Sequence, residues 1–431
     1  MPLRAAEKPE GQPKKEKRRK RMPPEEKENR KEHPGKQSTG KKQKAKRRKQ
    51  NAGRNPESKT QKVQRNKITK SGVQKLSTEN RQSILSFYLN ELKEVMAELG
   101  EKPYRAAQLF SWLHEKGARS YDEMTNLSKG LRQRLEEEYP LHPLRVVEEL
   151  RSKQDGTRKY LFALEDGNVI ESVRMPYEHG ISVCISSQVG CRMGCRFCAS
   201  TLDGLVRPLT AAEMLGQVYA IRAENPEQEG RVSHVVIMGS GEPLDNYEET
   251  VRFIRLLSAP EGAQISQRNI TLSTCGLVPE IRRLAEEKLA ITLAVSLHAP
   301  NDGKRRKLMP IANRYSLKEL IPACREYFEI TGRRLTFEYA LVAGENDSET
   351  DAAELAALIS GIHAHVNLIP VNPVRERAWR RSSSGQVMKF QKKLEKYGIN
   401  VTIRREMGAD ISGACGQLRK SYIDNDQENR E

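Results

Sequence analysis

The most informative segment of the sequence is Gly190-Cys191-Arg192-Met193-Gly194-Cys195-Arg196-Phe197-Cys198-Ala199. Its three cysteines have C-x3-C-x2-C spacing, whereas a structural zinc site normally has four ligands and often shows paired C-x2-C knuckles. Three thiolates on one short loop favour an iron–sulfur cluster, because they can hold three irons of a four-iron cluster and leave the fourth open to another ligand. On spacing alone, zinc and inert buried thiols remain the alternatives.

Charge is distributed unevenly along the 431 residues. Residues 1–75 contain 27 Lys and Arg against 8 Asp and Glu, whereas the remaining residues contain 48 against 49. Residues 1–78 are predicted to be a disordered basic tail, because they hold too few apolar residues to offset the entropy lost on folding. The tail is either a solubilising segment or an electrostatic arm for nucleic acid, and we favour the arm.

Cysteine usage and hydropathy indicate the compartment. The seven cysteines are sparse for this length, odd in number and partly clustered, which favours reduced thiols in a reducing compartment. No apolar run reaches the roughly 18 residues of a membrane span, and the amino terminus lacks the apolar segment of a secretory signal. We therefore expect a cytoplasmic protein without a membrane segment.

Residues 79–143 are predicted to form a small helical domain that resembles a helix-hairpin-helix module. Apolar residues recur at helical spacing between Ile84 and Val95 and again between Ala106 and His114. Periodicity does not separate a domain that packs on the core from one that grips an RNA backbone. Residues 144–176 then alternate like strands around two Asp-Gly pairs, a strong hairpin signal, and are predicted to form an antiparallel meander.

Residues 177–410 are predicted to form the main domain, in which strands and helices alternate. Repeated strand–helix units indicate a parallel sheet, and six units are too few to close an eight-stranded barrel. The predicted fold class is therefore α/β, an open partial (β/α)6 barrel of TIM-like type. Residues 411–431 complete the chain as a loop and a polar tail. The predicted strands are residues 181–186, 233–238, 268–274, 290–297, 335–342 and 366–371.

Candidate binding residues follow these predicted strands. Ligands of parallel sheets bind at the carboxyl ends of the strands, where the cysteine loop also lies. Gly241-Glu242-Pro243 offers a carboxylate that suits an ammonium group. Hydroxyl, imidazole and amide groups at the next strand ends suit a ribose, a carboxylate and an adenine edge. These groups belong to Ser273, Ser296-Leu297-His298 and Asn372.

Several motifs together resemble a known family. The cysteine motif, with an aromatic residue before its last cysteine, resembles the radical S-adenosylmethionine (SAM) superfamily, whose members share a partial barrel. The match is closer to the RlmN family of dual-specificity RNA methyltransferases and covers roughly residues 79–422, but not the basic tail. It is carried by residues 186–191, Ser296-Leu297-His298, residues 369–373, residues 410–418 and, in the helical domain, Tyr104-Arg105-Ala106 and residues 124–129.

The resemblance implies methyl transfer to C2 of an adenine in 23S ribosomal RNA, at the peptidyl transferase centre, and to adenine 37 of some tRNAs. This carbon is electron-poor and is no nucleophile, so a polar transfer from SAM is unfavourable and a radical route avoids the problem. The implied cofactors are a [4Fe–4S] cluster and two SAM molecules per turnover. A reducing protein of flavodoxin or ferredoxin type and a monomeric enzyme are also expected.

The resemblance also implies roles for individual residues. Cys415 takes a methyl group from one SAM, and a 5′-deoxyadenosyl radical from a second SAM then abstracts hydrogen from that methyl group. The resulting methylene radical adds to the adenine. Cys184 resolves the adduct by forming a transient disulfide with Cys415, and Glu171 is the general base. The cluster ligands are Cys191, Cys195 and Cys198, and the SAM contacts are Gly241, Glu242, Ser273, Ser296, Leu297, His298 and Asn372.

Two rival functions remain at this point. The related Cfr family methylates C8 of the same adenine on the same scaffold, and sequence patterns separate the two poorly. A non-catalytic iron–sulfur or zinc protein that binds RNA without consuming SAM is the alternative of another class, and Gly241-Glu242-Pro243 and Ser296-Leu297-His298 argue against it. Cys275 and Cys324 have no part in either scheme and are interpreted as structural.

Overall fold

The computed structural model describes residues 83–141, 144–224 and 230–418. The predicted basic tail at 1–78 and the polar tail after Leu418 lie outside the described residues. The nucleic-acid role expected for the tail therefore stays a prediction. Among the described residues, no helix is both long and apolar enough to cross a membrane.

The first described segment is a small helical domain, as predicted. It contains α1 (Leu89–Glu98), α2 (Tyr104–Phe110) and α3 (Lys129–Glu138), and a π-helical turn over Ser111–Lys116 extends α2. Ser128 begins α3 because its side chain accepts a hydrogen bond from the backbone N–H of Leu131. Each helix buries one apolar stripe, which explains why helical periodicity located the domain correctly.

The main sheet has ten strands, which lie side by side in this order: β1 (Arg145–Arg151), β2 (Arg158–Ala163), β3 (Val169–Tyr177), β4 (Gly180–Ile185), β7 (Val232–Ile237), β8 (Ile270–Thr274), β9 (Thr292–Ser296), β10 (Leu335–Leu341), β11 (Ala364–Pro370) and β12 (Asn400–Ile403). The strands from β4 onward pair in parallel, whereas β1 to β4 pair antiparallel. Within the described residues β1 and β12 are the edge strands, and the mostly parallel sheet confirms the predicted α/β class.

Two features of the sheet go beyond the sequence prediction. The predicted meander is continuous with the main sheet, because β3 pairs with β4 from Val173 opposite Cys184 to Tyr177 opposite Gly180. A seventh parallel strand, β12, pairs with β11 and was missed. It has only four residues, three of them exposed, so it lacks the apolar run by which the other parallel strands were located.

Helices cover the outer side of the parallel strands. The central strands are buried on both faces, as Leu293, Ala294 and Val295 of β9 and Phe337 of β10 show. A separate two-stranded ribbon, β5 (Gln188–Gly190) with β6 (Leu205–Pro208), frames the cysteine loop. The covering helices are α4 (Ala211–Glu224), α5 (Tyr247–Leu257), α6 (Val278–Glu286), α7 (Asp302–Leu308), α8 (Leu317–Thr331), α9 (Glu349–Leu358) and α10 (Ser384–Lys396).

Candidate active site

A large cavity opens at the carboxyl ends of the parallel strands, and we call it the main cavity. It contains about 1010 Å³ of space free of protein atoms, counting the part open to solvent. Three chain segments meet there: the cysteine loop, the strand ends, and the loop that follows β12. The predicted site residues that line it are Cys191, Cys195, Cys198, Gly241, Glu242, Ser273, Ser296, His298, Asn372 and Cys415.

Three predicted site residues do not line the main cavity. Leu297 is completely buried in the apolar core, and its backbone N–H donates to the carbonyl of Glu338 at 3.0 Å. Cys184 lies in a second cavity, which we call the thiol pocket because it is lined by Cys184 and Cys415 together. Glu171 lines a third and smaller cavity.

The backbone of the cysteine loop is fixed by close contacts. Gly190 has φ +76°, and a Cβ atom there would lie 2.0 Å from the carbonyl oxygen of Gly204, so only glycine fits. The N–H of Cys191 donates to that same oxygen at 2.9 Å, and the N–H of Arg196 donates to the carbonyl of Leu308 at 2.9 Å. The ribbon and α7 thus hold the loop from two sides.

The three thiols of the loop share an electrostatic environment that disfavours anions. Burial raises the pKa of Cys191 to about 12, and it raises the pKa of Cys195 and Cys198 as well. The negative charges of the neighbouring thiols add to the shift at Cys191 and Cys195. Three thiolates can therefore coexist here only with a bound cationic centre that compensates their charge.

The three thiols of the loop line one cavity but are not grouped like the ligands of a single ion in the described residues. Within residues 83–141, 144–224 and 230–418, no three or more His, Cys, Asp or Glu side chains are grouped closely enough to hold one metal ion. Yet Cys191, Cys195 and Cys198 line one cavity. In a four-iron cluster each thiolate binds a different iron, so the sulfur atoms lie farther apart than the ligands of one zinc ion.

A buried arginine behind the loop supports the same assignment. Arg305 on α7 is fully buried; it donates to the carbonyls of Cys275 at 2.8 Å and Tyr315 at 3.2 Å, and its Nε has no partner. Burial lowers the pKa of Arg305, although Cys275, Cys195 and Asp302 oppose that shift, and the guanidinium in turn opposes the rise in the pKa of Cys195. Because a buried cation without an ion-pair partner in the described residues is costly, an anionic group at the thiols fits this side chain.

Glu242 joins two strand ends at the cavity wall. One carboxylate oxygen accepts from the N–H of Leu244 at 3.0 Å and the other from the N–H of Cys275 at 2.7 Å. Burial raises its pKa, although these hydrogen bonds oppose the shift. Each oxygen keeps a further lone pair, so the carboxylate retains the capacity to bind an ammonium group. The adjacent Gly241 has φ +112°, and a Cβ there would meet Ser187 at 2.6 Å.

His298 is held as a neutral hydrogen-bond donor. Its Nδ1 accepts from the N–H of Ala340 at 2.9 Å, so the proton of the neutral ring is on Nε2. Burial lowers its pKa to about 3. The ring meets Phe197 edge to face, with 4.8 Å between centroids, and the backbone φ of +55° is strained for a residue other than glycine.

The loop that carries Cys415 is docked on the cysteine loop. The N–H of Ala199 donates to the carbonyl of Gly416, and the Ser200 hydroxyl donates to the carbonyl of Leu418, both at 2.8 Å. The Cys415 side chain is exposed and lines both the main cavity and the thiol pocket. One thiol can therefore face two compartments without a change of fold.

The thiol pocket buries Cys184 against apolar side chains. Cys184 packs with Val173, Met175, Met407 and Leu418. Burial raises its pKa to about 12, the Cys415 thiol adds to that shift, and Arg404 opposes it. Cys184 and Cys415 thus line the same pocket.

Arg404 lines both cavities and was missed by sequence reasoning. Its guanidinium lies 3.7 Å from the Glu338 carboxylate and 3.5 Å from the Met238 sulfur. Burial opposes its charge, but Cys415, Glu338 and Cys184 more than offset that effect and raise its pKa. Arg404 directly follows β12, a strand that was not predicted. It belongs to no recognisable motif, so nothing in the sequence indicated that it lines the cavities.

Glu171 lines a different cavity from Cys184 and Cys415. It is buried on β3, and its carboxylate accepts from Lys159 Nζ at 3.0 Å in a buried ion pair. The third cavity that it lines also contains Ser200 and Ser240, but neither Cys184 nor Cys415. Its role as a general base therefore rests on the family resemblance.

Comparison with known proteins identifies the family. Curated relatives named "Probable dual-specificity RNA methyltransferase RlmN" are 57% identical over 81% of this chain in Lachnoclostridium phytofermentans and 59% identical over 79% in Lachnospira eligens, and each is covered over 97% of its own length. The chain belongs to the RlmN family. Two family models match the chain in agreement with this RlmN assignment. The model of the ribosomal RNA large subunit methyltransferase N-terminal domain matches residues 82–140, and the model of the radical SAM superfamily matches residues 185–356.

A solved structure agrees with the RlmN assignment. A radical SAM methyltransferase from Sphaerobacter thermophilus superposes with a TM-score of 0.77 at 47% identity, over 79% of this chain and all of that one. The protein is thus a radical SAM RNA methyltransferase whose cofactors are a [4Fe–4S] cluster and SAM. The predicted family, fold and cofactors are confirmed.

Proposed function

We propose that the protein methylates C2 of an adenine in 23S ribosomal RNA, at the peptidyl transferase centre, and of adenine 37 in some tRNAs. The observation that carries the proposal is the position of Cys415, which lines the main cavity and the thiol pocket alike. A methyl carrier has to reach the methyl donor on one side and the resolving thiol, Cys184, on the other. The RlmN relatives are named for dual specificity.

The main cavity holds the cofactors in this proposal. Cys191, Cys195 and Cys198 bind the cluster, which supplies the electron that cleaves SAM reductively. Glu242 accepts from the amino group of SAM, and His298 donates from Nε2 to an acceptor on its nucleoside or carboxylate. The other SAM contacts are Gly241, Ser273, Ser296, the backbone of Leu297, and Asn372.

The thiols carry the methyl group and release the product. Cys415 takes a methyl group from the first SAM, and its sulfur then links the protein to the adenine through a methylene bridge. Cys184 forms a disulfide with Cys415 as the carbon–sulfur bond breaks, which sets free one proton and one electron, and the electron would return to the cluster that SAM cleavage leaves oxidised. Because burial raises the pKa of Cys184 to about 12, its thiol proton has to be transferred at that step, and Arg404 stabilises the developing thiolate. Glu171 serves as the general base toward the adenine.

The enzyme works as a cytoplasmic monomer in this proposal, and a flavodoxin- or ferredoxin-type protein reduces its cluster. The test is anaerobic reconstitution with iron and sulfide, followed by assay on unmodified ribosomal RNA and tRNA with mass spectrometry of the nuclease digest. The expected product is 2-methyladenosine, and Cys198→Ala is expected to lose both the cluster absorbance and turnover. A product of 8-methyladenosine would assign Cfr-type chemistry, and RNA binding without release of 5′-deoxyadenosine would leave a non-catalytic protein.

A further inference from the structure

A basic loop leads from β11 to α10 at the carboxyl edge of the sheet. Residues 375–381 read Arg-Glu-Arg-Ala-Trp-Arg-Arg, which is four arginines in seven positions. Arg375, Arg380 and Arg381 are exposed, and Arg377 is half-buried. The loop begins just after Asn372, a lining residue of the main cavity. Its charge is therefore concentrated next to the cavity.

Hydrogen bonds fasten this loop to the segments around the main cavity. Arg377 donates to the Thr201 hydroxyl at 3.1 Å, and the Trp379 indole donates to the carbonyl of Arg196 at 2.8 Å. At its base, Gln417 donates to the carbonyl of Pro373 at 3.0 Å. The loop is thus tied to the cysteine loop and to the Cys415 loop, and it lies where both reach the surface.

Most of the positive charge in this region is not neutralised. Arg381 pairs with Glu406, but Arg375 and Arg380 form no ion pair with any carboxylate in the described part of the chain. Arg196 and Arg405 are also exposed, and Arg405 lines the thiol pocket. We call Arg196, Arg375, Arg380 and Arg405 the rim arginines. They lie on the cysteine loop, on the loop from β11 to α10 and on the segment that follows β12, and each of these segments contributes lining residues to the main cavity.

We propose that the rim arginines bind the RNA phosphates that flank the target adenine. A base must leave its stack to enter a recessed site, so the phosphates on either side come to the mouth of the cavity. Guanidinium groups match phosphate geometry with two parallel donors. Such contacts position the strand without reading its sequence, which suits an enzyme with both ribosomal and transfer RNA as substrates. The inference rests on RNA being the substrate of the proposed function, but not on the C2 position.

The test compares two double variants of the full chain in RNA-binding titrations at several salt concentrations. Arg375→Gln/Arg380→Gln removes two rim charges. The control, Arg268→Gln/Arg334→Gln, also removes two exposed arginines that form no ion pair in the described residues. These two lie just before β8 and β10, at the edge of the sheet opposite the main cavity. Both variants keep the basic tail, so its contribution to binding cancels in the comparison.

The rim variant is expected to bind RNA roughly tenfold more weakly near 0.1 M salt. The plot of log K against log salt concentration is expected to become less steep by about 1.4, since each lost phosphate contact accounts for about 0.7. Arg375→Lys/Arg380→Lys is expected to restore the slope, which separates lost charge from misfolding. An unchanged slope in the rim variant, or an equal loss in the Arg268/Arg334 control, overturns the inference. Since binding needs no turnover, failure of the proposed methylation would appear separately in the product assay.

Discussion

The side-chain amide of Asn372 donates a hydrogen bond to the backbone oxygen of Cys415 at 3.0 Å. This contact connects the end of β11 to the loop of the proposed methyl carrier. Asn372 is itself buried and lines the main cavity, so a residue expected to contact SAM also holds the loop of the thiol that we propose as the methyl carrier. We therefore expect cofactor binding and the position of Cys415 to be coupled.

Asn372→Ala is expected to loosen the Cys415 loop. Loss of one buried hydrogen bond corresponds to about 1 kcal/mol, or roughly fivefold in the population of the undocked loop. The measurement is the rate of alkylation of the buried Cys184, which the docked loop covers through Leu418, in protein without SAM. Read by mass spectrometry, this rate should rise about fivefold. Alkylation of the fully buried Cys324 serves as the internal control. Equal Cys184 rates in both proteins would show that the contact does not hold the loop.

Cys184→Ala is expected to trap RNA on the enzyme. Without the second thiol no disulfide can form, so the bond from Cys415 through the methylene bridge to the adenine persists. A denaturing gel after turnover should show the protein–RNA adduct, which Cys184→Ala/Cys415→Ala should abolish. Cys324→Ala removes a buried thiol outside both cavities and should give no adduct. Free product from Cys184→Ala at the normal rate would contradict the resolving role.

Arg305→Met is expected to lower the reduction potential of the reconstituted cluster. A nearby cation stabilises the more negative reduced form, and at an effective dielectric constant of about 20 the interaction is roughly 2 kcal/mol. That energy corresponds to roughly 90 mV for a one-electron couple. The check is a potentiometric titration followed by electron paramagnetic resonance. Arg306→Met, at the exposed neighbouring position, should leave the potential unchanged, and Arg305→Lys should largely preserve it.

Two buried histidines are expected to make the protein less stable in acid. Burial lowers the pKa of His114 from its usual 6.5 to about 3, and it lowers the pKa of His298 to about 3 as well. The unfolded chain therefore takes up these protons first, so the stabilisation is complete above pH 6.5 and declines as the pH falls toward 3. At pH 5 each histidine contributes a loss of about 2 kcal/mol.

The check is urea unfolding between pH 5 and pH 8. His114→Gln should flatten the pH dependence of the unfolding midpoint, whereas a substitution of the exposed His363 should not. A variant with the same pH dependence as the unaltered chain would show that His114 is already protonated in the folded protein.

Local patterns predicted much of this fold and only part of the site. Apolar runs located six parallel strands because those strands are buried on both faces, and the short, exposed β12 carries no such run. Motifs found the cavity-lining residues because they follow strand ends. They did not find Arg305 or Arg404, whose importance comes from burial and from neighbours distant in the chain. The ion pair of Glu171 with Lys159 is likewise set by pairing of β2 with β3.

The docking of Ser200 on Leu418 joins positions 218 residues apart, and it has a consequence for assembly of the holoenzyme. During translation the cysteine loop leaves the ribosome long before the segment that will rest on it. Iron and sulfide therefore have an open route to the thiols until that late segment settles. We therefore expect the cluster to enter more readily before this segment is seated than after it.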